Sequence, residues 1–125
     1  MEFKDLVGLT LVEVFGAEAG SNEIEMKDSA GRTFRMWHEQ GCCERVNVEE
    51  VHGDIADLIG TPILVAEEST NGEENKPSEH SDSWLWTFYR LQTIKGPVQI
   101  RWLGESNGYY SEGVDFEEVM ENPAR

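Results

Sequence analysis

From Trp84 the residues alternate in character, first through WLWTFYRLQT and then, after Lys95-Gly96-Pro97, through VQIRWL. Period-two alternation in two runs joined by a Gly-Pro turn predicts a β-hairpin with long arms. In the first arm Trp84, Trp86 and Phe88 share one face, while Leu85, Thr87 and Tyr89 share the other. In the second arm Val98, Ile100 and Trp102 oppose Gln99, Arg101 and Leu103. Asn107-Gly108 is a further tight-turn signal, leading into Tyr109, Tyr110 and a strand through Val114 and Phe116. This half of the chain therefore predicts a three-stranded meander, and the tail EEVMENPAR predicts one frayed helical turn.

The N-terminal part has the same character. LTLVEVF and EIEMK are separated by the turn-forming AEAGSN, and a turn at Asp28-Ser29-Ala30-Gly31 precedes TFRMWH. Three strands in a first meander follow, with Phe34 and Met36 facing one way and Arg35 and Trp37 the other. Arg45 to Glu49 alternates as a short strand. Asp54 is an N-cap before Ile55, Leu58 and Ile59, and Gly60 with Pro62 ends that helix. Ile63 to Ala66 predicts another strand. Residues 67–83 carry no large apolar side chain, so they predict an acidic surface loop, with 70–83 as an insertion. The fold class expected is α+β: mostly antiparallel sheet in two meanders, with one short helix. At 125 residues the chain is read as a single domain over 1–125 with a core of its own.

Charge narrows the function. Twenty-five acids against ten bases give a net charge of −15, which disfavours DNA and anionic membranes, because affinity for both rests on Lys and Arg clusters. A small anionic ligand needs only two or three local donors. The N-terminus has no apolar signal core, and no apolar run reaches the ~20 residues that span a bilayer. The chain is expected in the cytoplasm. The two cysteines, Cys42 and Cys43, are adjacent and read as reduced packing residues rather than a disulfide framework.

Adjacent cysteines converge poorly on a tetrahedral ion, so His38, Cys42, Cys43 and His52 predict no metal site. No phosphate-cradling glycine motif or nucleophile elbow stands in the chain, and no cofactor is expected. The aromatic segment is different. Seven of the twelve Trp, Tyr and Phe residues lie between Trp84 and Tyr110, together with Arg90, Lys95, Arg101 and Asn107. Most of its tryptophans are expected in the core. Arg101, Tyr109 and Tyr110 are what a base-stacking and phosphate-clamping pocket uses.

HEQGCCERVNVEEVHGDIADLIGTPILVAEES, followed by WTFYRLQTIKGPVQIRWLGESNGYYSEGVDF, resembles a family of small phage and prophage proteins, the first Thoeris anti-defence family. The match runs from about Thr33 to Phe116 on the CCE, GDIADLIGTP, TFY, IRW and SNGYYSE blocks. The resemblance implies a non-catalytic sponge for cyclised ADP-ribose, some members also holding cyclic oligonucleotides, in the host cytoplasm. It implies a homo-oligomer, dimer or hexamer, with pockets between protomers. The ligand-contacting asparagine falls on Asn107. A ligand-contacting aromatic after the KG turn falls on Pro97, so Trp102, Tyr109 or Tyr110 takes its stacking role. Arg125 answers to the basic residue near the chain end, and Arg32 or Arg35 to one from the first meander; Arg101 joins them at the pyrophosphate. Two rival classes stand beside this reading: an acidic protein-binding inhibitor of a host enzyme, and a nucleotide-cleaving enzyme.

Overall fold

The computed structural model describes residues 2–39, 44–71, 82–106 and 112–119. Its strands are β1 (Leu11–Phe15), β2 (Glu23–Asp28), β3 (Thr33–Trp37), β4 (Arg45–His52), β5 (Val65–Asn71), β6 (Ser83–Thr93), β7 (Gly96–Ser106) and β8 (Asp115–Val119). They form two four-stranded sheets, ordered β1-β2-β3-β8 and β4-β7-β6-β5, with antiparallel pairing throughout.

Alternation decides which side chains meet between the sheets. Ile24, Met26, Phe34 and Met36 of the first sheet join Val48, Tyr89, Leu91, Ile100 and Trp102 of the second in one buried cluster, closed by Leu6 and Leu58. Burying a large apolar side chain of this kind contributes about 1.5–3 kcal/mol. The turn between β2 and β3 is built on Asp28, whose Oδ1 accepts from Ala30 N (3.0 Å) and Arg32 N (2.8 Å). Gly31 supplies the positive φ of +86° that this tight turn requires.

Four expectations change. The helix after Asp54 is a single 3-10 turn, Ile55–Leu58: Asp54 caps it through Ala56 N at 2.9 Å, but Gly60 leaves no room for a second turn. The fold of the described residues is therefore all-β with two 3-10 turns rather than α+β. The strand read as ending at Ala66 runs on to Asn71, because Glu67–Asn71 pair with Trp86–Arg90, and Ser83 already belongs to β6; residues 72–81 lie outside the described residues. The C-terminal meander does not form. β8 leaves the hairpin and pairs with β3, matching Met36 to Phe116 and Thr33 to Val119, so Glu117–Val119 are strand and not helix.

That change of sheet happens over residues 112–114. Glu112 is held by the hydroxyls of Ser83 (2.9 Å) and Ser106 (3.1 Å), and Gly113 O accepts from His38 Nδ1 (2.8 Å). The crossing backbone lies directly on Gly104 of β7, where a Cβ would run into the Glu112 carbonyl oxygen. Gly104→Ala is expected to lower stability by about 1–3 kcal/mol, the usual cost of overpacking. Gly31→Ala, which meets no atom, should cost only the 1–2 kcal/mol of a left-handed backbone. Urea denaturation of the two variants checks the order.

Candidate functional site

The outward face of the second sheet is a grid of four cross-strand rows. Arg45, Glu105 and Trp84 form one; Asn47, Leu103, Trp86 and Asn71 the next; Glu50, Arg101, Phe88 and Ser69 the third; His52, Gln99, Arg90 and Glu67 the last. Three of the chain's ten basic residues, Arg45, Arg90 and Arg101, stand here with three aromatics. The guanidinium of Arg101 lies 5.0 Å from the centre of the Trp86 ring and donates to Glu50 at 2.7 Å. Trp84, Trp86 and Phe88 are expected in the core. Trp86 is buried, at 8% exposed, but the three share the face opposite Leu91, Tyr89 and Thr87, and Trp84 and Phe88 are only half-buried.

Two recesses meet at the β4 end of this face. One, of about 560 Å³, is lined by Gly20, Arg45, Asn47, Trp86, Leu103 and Glu105 among others. The other, of about 450 Å³, opens where the chain leaves β3, and holds Arg35, Trp37, His38 and Glu44. Arg45 and Asn47 line both. With its amide oriented to satisfy both neighbours, Asn47 accepts from Arg45 Nε (3.1 Å) and donates to Val46 O (2.8 Å), which fixes the dividing wall. Arg35 lies over Trp37 at 4.3 Å and reaches Glu23 at 2.7 Å. The combined cleft offers guanidinium groups beside indole faces, the pair of surfaces that recognises a phosphate joined to a base.

The remaining hollows differ. A recess of about 350 Å³ at the far end of the hairpin holds His52, Arg90, Pro97 and Gln99. A groove of about 550 Å³ between β5 and β8 is lined by Glu2, Glu67, Glu68 and Asp115 against one base, Lys4. An anion is repelled there. Behind that groove Tyr89 is fully buried, and burial first, then Glu68 and Asp115, push its hydroxyl above the usual phenol range.

The expected site residues divide accordingly. Arg35 lines the cleft, and Arg101 stands one row from it. Arg32 is tied to Asp28 at 2.9 Å as part of the β2–β3 turn. Trp102 is corrected: its side chain is 0% exposed and faces the core, so it presents no stacking face to a ligand. Asn107, Tyr109, Tyr110 and Arg125 lie outside the described residues, as do Cys42 and Cys43. Trp37, Arg45 and Asn47 were missed, although Arg45 and Asn47 carry the usual signal, polar positions alternating with the buried Val46 and Val48. Among the described residues no three His, Cys, Asp or Glu side chains could hold a metal ion, and no helix is long and apolar enough to cross a membrane.

The chain belongs to the DUF7448 family, a domain of unknown function, whose model matches residues 4–116. No curated protein and no solved structure matches it.

Two measurements check this placement. Trp102→Ala should cost about 3–5 kcal/mol of folding stability, and Trp37→Ala about 1 kcal/mol or less. For Tyr89, a folded-state pKa above the unfolded value near 10 means stability that is complete below about pH 10 and lost as pH rises beyond it. Stability measured by urea from pH 9 to 12 should therefore fall more steeply in the wild type than in Tyr89→Phe.

Proposed function

We propose that this member of the DUF7448 family is a non-catalytic binding protein that sequesters a small anionic signal derived from a nucleotide. Its ligand is cyclised ADP-ribose, with cyclic oligonucleotides as a second class. The carrying observation is the cleft at the β4 end of the molecule, where Arg35 and Arg45 stand with Trp37 and Trp86 on a chain of net charge −15. The resemblance of the CCE, TFY, IRW and SNGYYSE blocks to the first Thoeris anti-defence family supports the same reading. In it, arginines neutralise the pyrophosphate, an indole stacks on adenine, and Asn107 bonds ribose or base. The protein acts as a phage-encoded homo-oligomer, dimer or hexamer, in the host cytoplasm, and holds the signal without breaking it.

The acidic groove beside β5 and β8 favours a second reading, an inhibitor that captures a basic surface of a host enzyme. The two separate cleanly. Protein purified from cells making cyclised ADP-ribose should release, on heating, a ligand that chromatography finds unchanged. At a hundredfold excess over Kd, ligand should stabilise the fold by about 2.7 kcal/mol. Arg45→Ala and Asn107→Ala should each weaken binding by about tenfold or more, as loss of a hydrogen bond to a charged group does. Recovery of a cleaved nucleotide would favour an enzyme. Salt-sensitive capture of a host protein with no ligand-induced stabilisation would favour the inhibitor.

A further inference from the structure

Arg45 differs from the other arginines in what holds it. Among the described residues, Arg32 pairs with Asp28, Arg35 with Glu23, Arg90 with Glu67 and Arg101 with Glu50, and Arg45 alone has no carboxylate partner. Glu105 stands opposite it on β7 and Glu49 lines the same recess, yet no ion pair joins either to it. The guanidinium is held instead by Asn47, two residues along the same face of β4, whose side-chain oxygen accepts from Nε at 3.1 Å. The Asn47 amide is itself fixed, because its nitrogen donates to Val46 O at 2.8 Å. A guanidinium tethered by Nε keeps its two Nη groups for a ligand, and that edge forks onto phosphate oxygens. Both residues also line the recess of Trp86 and the recess of Trp37, so the fork stands where the two meet.

We propose that Asn47 is a positioning residue: by holding Arg45 through Nε, it sets the Nη pair across the boundary between the recesses, where the pair grips both phosphoryl groups of a pyrophosphate. Without the tether the charge remains, but the side chain is free to rotate and the second phosphoryl group loses its own donor. Lysine cannot substitute, since a compact ammonium has no fork to hold in one plane. The assignment deepens the sponge reading and rests on it: Asn47 makes the cleft selective for two joined phosphates over one. No bond is made or broken. The Nη groups donate, and the phosphoryl oxygens accept.

The test is calorimetry of ADP, AMP and cyclic ADP-ribose on the wild type, Asn47→Leu, Arg45→Lys and the double variant. ADP and AMP share base and sugar and differ by the second phosphoryl group. The wild type should bind ADP about tenfold or more tighter than AMP, the scale of one hydrogen bond to a charged group. Each single variant should bring that ratio close to one while AMP affinity holds, which a merely structural role would not preserve. The double variant should match Arg45→Lys, because the two residues act as one unit. Asn47→Val, which suits a strand and carries no acceptor, gives the reading if Asn47→Leu fails to fold. An unchanged ratio in the Asn47 variants overturns the positioning role. Equal affinity of the wild type for ADP and AMP, with cyclic ADP-ribose bound, overturns the pyrophosphate grip and leaves the sponge reading standing. Binding of none of the three compounds overturns both.

Discussion

Everything distinctive in this fold depends on the chain crossing from the second sheet to the first at residues 112–114. The crossing pairs β8 with β3 and so ties together two sheets that also share their apolar faces and the backbone hydrogen bonds of Val48 with Gly20 and Ser21. It is possible because Gly104 has no side chain, which lets the crossing backbone lie flat on β7. Ser83 and Ser106, at the open end of the β6–β7 hairpin, receive Glu112, and His38, just past β3, receives Gly113. The same contact that pins the crossing also fixes the His38 ring and decides which of its nitrogens faces the recess.

The charge distribution follows from what each arginine is given to do. Arg32 is spent on the Asp28 turn, where the carboxylate is 2% exposed. Arg35 pairs with Glu23 and Arg101 with Glu50, with both members of each pair about a third or more exposed. Exposed pairs of this kind contribute about 0–1 kcal/mol, so neither carboxylate holds its arginine strongly. Acids elsewhere serve another end. Glu67 and Glu68 lie on β5 and Asp115, Glu117 and Glu118 on β8, the outer strands of their sheets. Charge on an outer strand discourages pairing with another chain.

Much of the strand content was legible because its cause is local. The three N-terminal strands, the capping aspartate at 54 and the long hairpin all follow from alternation and turn chemistry within a few residues. Sheet membership was not legible, because nothing local at Asp115–Val119 distinguishes a partner in β7 from one in β3. That choice is made by Gly104 and His38, some ten and eighty residues away. Nor could alternation alone say which face of the hairpin is core. Trp84, Trp86 and Phe88 make the more apolar row, yet the row of Tyr89, Leu91, Ile100 and Trp102 is the buried one, since the first sheet covers that side. The candidate site was half legible: Arg35 and Arg101 were found, while Arg45 and Asn47 were read only as strand.

The length of the hairpin bears on how any ligand site can be assembled. From Pro97 to Ser106, β7 advances about 3.3 Å per residue, so its two ends stand roughly 30 Å apart. Pro97 lies with His52 and Arg90 at one end, and Arg45, Trp86 and Glu105 gather toward the other. A ligand the size of a dinucleotide cannot touch both ends within one protomer. If the position after the KG turn and the segment after Ser106 serve a single pocket, as the resemblance implies, two copies must meet with their hairpins reversed. Proline at 97 then alters a wall contributed by the second copy, while the arginine cleft remains the property of the first.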